Sequence, residues 1–258
     1  MKAIILCGGL GMRLHEETEF RPKPLVTIGG RPILWHIMRT YAHYGFREFV
    51  LCLGYRGEMI KDYFLKYEAM NNDFTVRLGH DYSINFNGAH EEQDFVITLA
   101  ETGPETMTGG RIKRVEKYID DDTFMVTYGD GIADVDIRAL VAFHQKHGRL
   151  ATVTAVHTPS RYGALSLDTA SKVLSFAEKP QVEDRINSGY FVFNRRVFDY
   201  LGGDDCILER EPLEKLAKAG ELMAYKHDGF FCGMDTYRDY KYLNDLWDKG
   251  QTPWKKWK

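Results

Sequence analysis

No stretch of this sequence is long and apolar enough to cross a bilayer, and the opening Met1-Lys2-Ala3-Ile4-Ile5-Leu6-Cys7 is too short for the core of a secretory signal. Cysteine is sparse. Cys7, Cys52, Cys206 and Cys232 stand far apart, form no C-x-x-C pair and lie mostly in apolar runs, which excludes a disulfide framework and fits reduced core residues. A basic excess is also missing: 34 Lys and Arg face 37 Asp and Glu, for a net charge of -3. Neither nucleic acid nor an anionic membrane is therefore the expected partner, and a small molecule is. There are no internal repeats, no low-complexity tracts and no Pro/Gly/Ser-rich linker. Together these absences point to a cytoplasmic protein whose residues 1–258 form one domain.

What the 258 residues do hold, at 44% hydrophobic and 28% charged, is enough apolar material for a substantial core. The pattern through residue 150 alternates strand and helix. Lys2 to Cys7, Phe49 to Leu53, Phe95 to Leu99 and Thr123 to Tyr128 are short apolar runs of the kind buried on both faces of a parallel sheet. Between and after them, helical stripes run through Ile33, Leu34, Ile37, Met38 and Tyr41, then Met59, Ile60, Tyr63, Phe64 and Tyr67, then Ile112, Val115 and Ile119, then Ile137, Leu140 and Val141. This order predicts an α/β fold with a Rossmann-like, mostly parallel, doubly wound sheet. After residue 150 come strands with short connections (Ala151 to Val156, Gly163 to Leu167, Val173 to Phe176, Tyr190 to Phe193), expected to form a smaller mixed or antiparallel part. A helix at Leu213 to Ala219, an edge strand at Leu222 to Lys226 and a terminal helix at Tyr237 to Trp247 complete the chain. Residues 70 to 93 carry no clear period and read as a loop or small excursion.

Chemistry concentrates where strands stop. Gly8-Gly9-Leu10-Gly11-Met12-Arg13-Leu14 follows the first strand, at the carboxyl end of the sheet, where open α/β folds bind ligands. Glycines there let backbone N–H groups approach phosphate oxygens, and Arg13 adds a bidentate donor. Lys23 stands between Pro22 and Pro24, which fix its backbone. A dinucleotide fingerprint begun at Gly9 meets Leu14 in place of its third glycine, and the second strand ends in Leu53-Gly54-Tyr55 without a ribose-binding acid. A P-loop begun at Gly8 meets Arg13-Leu14 where Gly-Lys should fall. No H-E-x-x-H and no nucleophile elbow occurs.

The remaining polar residues each have two readings. Asp130, between two glycines at a strand end, suits a turn or an Mg2+ ligand equally well. Asp235 in Met234-Asp235-Thr236 suits the N-cap of the terminal helix. Glu178-Lys179-Pro180 is a charged strand end, Gly110-Arg111 opens a helix with a basic exposed face, and His144 and His147 are neighbours on a helix boundary.

The run from Gly8 to Leu14, with Pro22-Lys23-Pro24-Leu25, resembles the G-G-x-G-x-R-L…K-P signature of the sugar-1-phosphate nucleotidyltransferases, which make NDP-sugars. Thr106-Met107-Thr108-Gly109-Gly110-Arg111, Tyr128-Gly129-Asp130-Gly131 and Met234-Asp235-Thr236 resemble the glucose-1-phosphate cytidylyltransferase branch, and the likeness runs from Met1 to Trp254 and Trp257. The resemblance implies CTP and α-D-glucose 1-phosphate as substrates, CDP-glucose and pyrophosphate as products, Mg2+ as cofactor and a homo-oligomer.

It also implies roles. Leu6, Cys7, Gly8, Gly9, Gly11, Met12, Arg13, Lys23, Thr106, Arg111 and Gly129 would bind the nucleotide, and Asp130 and Asp235 the metal. Arg13, Lys23, Asp130 and Asp235 would act in catalysis. Tyr128, Gly163, Glu178, Lys179 and Asn187 would face the sugar phosphate, so that residues 1–150 mainly serve the nucleotide and 151–258 the sugar phosphate. The chain departs from the family where Asn187-Ser188-Gly189 replaces Asn-Gly-Gly and Phe230-Phe231-Cys232-Gly233-Met234-Asp235 replaces Phe-Trp-Gln-Pro-Met-Asp.

Overall fold

The structure is a computed structural model that describes residues 1–9, 11, 14–90, 92, 94–158, 164–167, 169, 171–177 and 184–257. Seven strands form its main sheet: β1 (Ala3–Leu6), β2 (Glu48–Leu53), β3 (Val96–Glu101), β4 (Thr123–Tyr128), β5 (Ala151–Val156), β6 (Ile186–Asn194) and β7 (Leu222–His227). Their spatial order is β7-β5-β6-β4-β1-β2-β3. β6 runs against β4 and β5, while the other neighbours are parallel. The expected mostly parallel α/β sheet is therefore present, with its antiparallel feature confined to one strand.

The apolar runs are continuous because both faces are covered. In β1, Ala3 and Ile5 enter one core cluster and Ile4 enters the other, the two-residue alternation of a strand with no solvent face. Helices α1 (Ile33–His43) and α4 (Ile137–His147) cover the first face through Ile33, Ile37, Tyr41, Ile137 and Leu140. Helices α3 (Thr108–Arg114) and α5 (Glu211–Lys218) cover the second through Ile112 and Leu216. The remaining longer helices are α2 (Gly57–Leu65) and the terminal α6 (Tyr237–Asp248).

Several short ribbons lie outside the main sheet. Phe74–Arg77 and Ser83–Phe86 form an antiparallel hairpin with all eight residues exposed, and Phe74 and Phe86 touch edge to face at 5.9 Å. With no buried side, the segment has no hydrophobic period to read, and it is the expected small excursion. Ala164–Leu167 and Val173–Ala177 pair as a hairpin of their own and do not join the main sheet. A third small ribbon, Gly131–Ala133 against Phe231–Gly233, has no counterpart in the sequence pattern and builds the site described next.

Candidate functional site

The carboxyl ends of β1, β2, β3 and β4 meet at one edge of the sheet, and the antiparallel β6 begins there. Their loops are fastened to one another by backbone bonds. Gly129 donates its N–H to the Leu6 carbonyl (3.0 Å), Cys7 to Cys52 (3.0 Å) and Thr102 to Leu53 (3.1 Å). Burial pushes the Cys7 thiol well above its ordinary pKa, so Cys7 contributes packing and backbone, not a nucleophile.

Arg111 is the fastener beneath the glycine loop. The residue is only 5% exposed, and its guanidinium donates to the carbonyls of Gly8 (3.0 Å), Leu53 (3.0 Å), Gly103 (2.7 Å) and Pro104 (3.2 Å), and to the Thr102 hydroxyl (2.7 Å). Burial pulls its pKa below the ordinary guanidinium value. A side chain that the local pattern puts on a solvated helix face, and the family resemblance near the nucleotide, thus lies under three strand ends. Gly8 is required by this approach, since a Cβ there would sit 2.2 Å from the guanidinium carbon. Gly9 has nothing within 4 Å of that position and faces open space. Gly11 holds a left-handed φ of +66°, and Thr106 is buried between Gly103 and Gly110.

The ribbon of Gly131–Ala133 and Phe231–Gly233 brings two distant aspartates together. Gly131 pairs with Gly233, and Met234 donates its N–H to the Asp130 carbonyl (2.8 Å), so Asp130 and Asp235 emerge side by side. Lys23 reaches both. Its Nζ lies 2.6 Å from Asp130 Oδ2 and 2.8 Å from Asp235 Oδ1. Burial opposes the charge on Lys23, but the two carboxylates outweigh it and hold the pKa above its usual value. Pro22 precedes the 3-10 turn Lys23–Leu25 and Pro24 lies within it, and together they fix the backbone of Lys23.

Asp235 is not the cap of the terminal helix. Thr236 takes that position in a capping box with Asp239, whose carboxylate also accepts from the Asp235 N–H (3.2 Å). The capping work is done by the neighbour, and the Asp235 carboxylate is turned toward Lys23.

Beside the aspartates, Tyr128 ends β4 and Asn187 is the second residue of β6. Asn187 Nδ2 donates to the Tyr128 hydroxyl (3.3 Å), and Asn187 Oδ1 accepts from the Gly189 N–H (2.7 Å). The Tyr128 hydroxyl donates to Glu209, which also accepts from the Thr108 hydroxyl (2.7 Å). Burial and the Glu209 charge both push the Tyr128 pKa up. Neither Glu209 nor Thr108 was expected here. Glu209 sits among charged residues at a helix start, and nothing in that local pattern marks it.

Met12, Arg13, Gly163, Glu178 and Lys179 lie outside the described residues. His144 and His147 form no metal site: both rings share the Thr152 hydroxyl at 2.9 and 2.7 Å, and burial lowers His144 to about 4. Among the described residues, no group of three or more His, Cys, Asp or Glu could hold a metal ion. The Asp130–Asp235 pair is a smaller donor set. One or two carboxylates, completed by phosphate oxygens and water, suit Mg2+, and here both carboxylates already converge on one cation, the Lys23 ammonium.

The family model for nucleotidyl transferases matches residues 2–251. This chain belongs to the nucleotidyl transferase family. The chain is 49% identical over 261 residues to the glucose-1-phosphate cytidylyltransferase of Salmonella typhi, covering all of both proteins. It is 45% identical over 258 residues to a probable glucose-1-phosphate cytidylyltransferase of Bacillus subtilis, again covering both in full. Among solved structures it is similar to HddC from Yersinia pseudotuberculosis complexed with GMP-PN. That likeness has a TM-score of 0.71 and 25% identity, and covers 95% of this chain and 99% of the other. Nucleotidyltransferases of this family generally use a divalent metal. No helix among the described residues of this nucleotidyl transferase is long and apolar enough to cross a membrane.

Proposed function

We propose that the chain is a glucose-1-phosphate cytidylyltransferase, joining CTP and α-D-glucose 1-phosphate to give CDP-glucose and pyrophosphate. The observation that carries nucleotidyl transfer is the meeting of Asp130, Asp235 and Lys23 beside the glycine loop. The identity of base and sugar is supported by full-length likeness to proteins of that name.

In this reading, backbone N–H groups of Gly8, Gly9 and Gly11 line the nucleotide, held in place by Arg111 from below. Lys23 and Arg13 offer positive charge to the triphosphate. Asp130 and Asp235 would hold Mg2+, which neutralises charge on the phosphates. Asn187 and Tyr128 present polar groups to the sugar, together with Gly163, Glu178 and Lys179. A phosphate oxygen of the sugar phosphate forms a bond to the α-phosphorus, the bond from that phosphorus to the bridging oxygen breaks, and pyrophosphate departs with the electron pair. The attacking oxygen is already anionic, so no general base is needed, and the residues orient and neutralise. The exposed apolar hairpin at Phe74–Arg77 and Ser83–Phe86 supports a homo-oligomer, and the substrates suit the cytoplasm.

The test is pyrophosphate release across a matrix of nucleoside triphosphates and hexose 1-phosphates, with and without Mg2+. Release with CTP and α-D-glucose 1-phosphate above all other pairs is expected. A preference for another base or sugar would replace the named substrates, and no release with any pair would remove the transferase reading.

A further inference from the structure

Lys23 makes two short ion pairs, at 2.6 and 2.8 Å, with carboxylates from the middle of the chain and from its C-terminal part, while its own side chain is 10% exposed. Its backbone is fixed by the Lys23–Leu25 turn, where Leu25 donates to the Pro22 carbonyl (2.8 Å) and Val26 to the Lys23 carbonyl (3.0 Å). Only the flexible four-carbon stem can move. The ammonium therefore occupies the place between the two carboxylates that a divalent cation would need. Mg2+ binds carboxylate oxygens at roughly 2.0–2.1 Å, and two cations cannot share these oxygens without strong repulsion.

We propose that Lys23 is a tethered counter-ion that competes with the metal. It holds Asp130 and Asp235 together while no nucleotide is bound, and it releases them when its ammonium transfers to the triphosphate. This rests on the reading of Asp130 and Asp235 as the metal pair and adds a coupling to it. A metal entering alone must displace Lys23 with nothing to receive the ammonium. A metal entering with the nucleotide brings phosphate oxygens as new partners for the lysine. Metal and nucleotide consequently strengthen each other's binding, by the reciprocity of linked equilibria.

Manganese titrations followed by electron paramagnetic resonance test this without any turnover. Wild type, Lys23→Met and Asp130→Asn are each titrated with Mn2+, alone and with CTP. Lys23→Met is expected to bind Mn2+ without nucleotide about tenfold more tightly than wild type, and to lose a matching part of the synergy with CTP. Equal or weaker Mn2+ binding by Lys23→Met, with binding abolished in Asp130→Asn, would overturn the competition and leave the metal pair standing. No Mn2+ binding to wild type or Lys23→Met even with CTP would overturn both readings.

A measurement on wild type alone guards against misfolding of the variant. Acylation of Lys23 by an amine-reactive reagent, read by peptide mass mapping, should rise at saturating Mn2+ without nucleotide. Unchanged or reduced labelling would overturn the proposal.

Discussion

Met234 donates its backbone N–H to the carbonyl of Asp130 at 2.8 Å, and this one bond extends the ribbon that sets Asp130 beside Asp235. The convergence of two carboxylates from opposite parts of the chain is thus a property of backbone pairing, not of the acids themselves. Without an attractive partner the two charges would repel, and Lys23 supplies one to both.

Removing either charge should stop chemistry while leaving the ribbon in place. Asp130→Asn and Asp235→Asn each keep the shape of the side chain and one bond to Lys23. We expect kcat to fall about 100- to 1,000-fold in each, the scale seen when a single group stabilising transition-state charge is lost. Circular dichroism and urea unfolding should report a folded protein. Retention of near-normal kcat in both variants would remove the aspartates from the mechanism.

Arg111 supports the nucleotide loop through backbone carbonyls, so its loss should register first as stability. Arg111→Met fills most of the volume but leaves the carbonyls of Gly8, Leu53, Gly103 and Pro104 without this donor. Gly8 and Leu53 keep other donors, the Tyr55 N–H (3.3 Å) and Thr102, but the Gly103 and Pro104 carbonyls lose theirs, which predicts a loss of about 2–4 kcal/mol in urea unfolding. The KM for nucleotide should rise as the Gly8 loop loosens. An unchanged unfolding midpoint would show that these carbonyls find water instead.

Much of this fold could be read from the sequence because strands buried on both faces leave nearly unbroken apolar runs, as at Ala3–Leu6 and Thr123–Tyr128. The ribbon that positions Asp130 and Asp235 could not, since three-residue strands paired across most of the C-terminal half carry no periodicity. Only the family resemblance suggested that those aspartates act together. Arg111 shows a different limit. A basic residue at a helix start looks solvated until tertiary structure places carbonyls around it, and Glu209, likewise, gains its link to Tyr128 only through folding.

Gly189 adopts a left-handed φ of +83°, and a Cβ there would come within 2.2 Å of the Tyr128 ring. Gly189→Ala therefore combines backbone strain with a steric conflict and should cost about 1–3 kcal/mol. Because Gly189 also donates to Asn187, relief of that conflict should displace both Tyr128 and Asn187. On the reading that these two face the sugar, the KM for the sugar phosphate should rise more than that for CTP. Equal changes in the two KM values would argue against that placement.

Stability should also depend on pH through two buried histidines. His36 accepts from Trp254 Nε1 at Nδ1 (3.4 Å) and meets the Ile28 carbonyl through Nε2 (2.9 Å), the pattern of a neutral ring. Burial lowers His36 to about 4, and likewise His144 to about 4, whereas both would titrate near 6.5 in the unfolded chain. Between those values the unfolded state binds more protons, so stability is full above about pH 6.5 and falls as pH drops toward 4. His36 alone accounts for up to about 3 kcal/mol across that window. Urea unfolding at pH 7.5, 6 and 5 should show the decline, and His36→Gln should flatten it by removing one titrating ring. A wild-type stability that stays constant from pH 7.5 to 5 would mean that neither histidine is kept neutral by the fold.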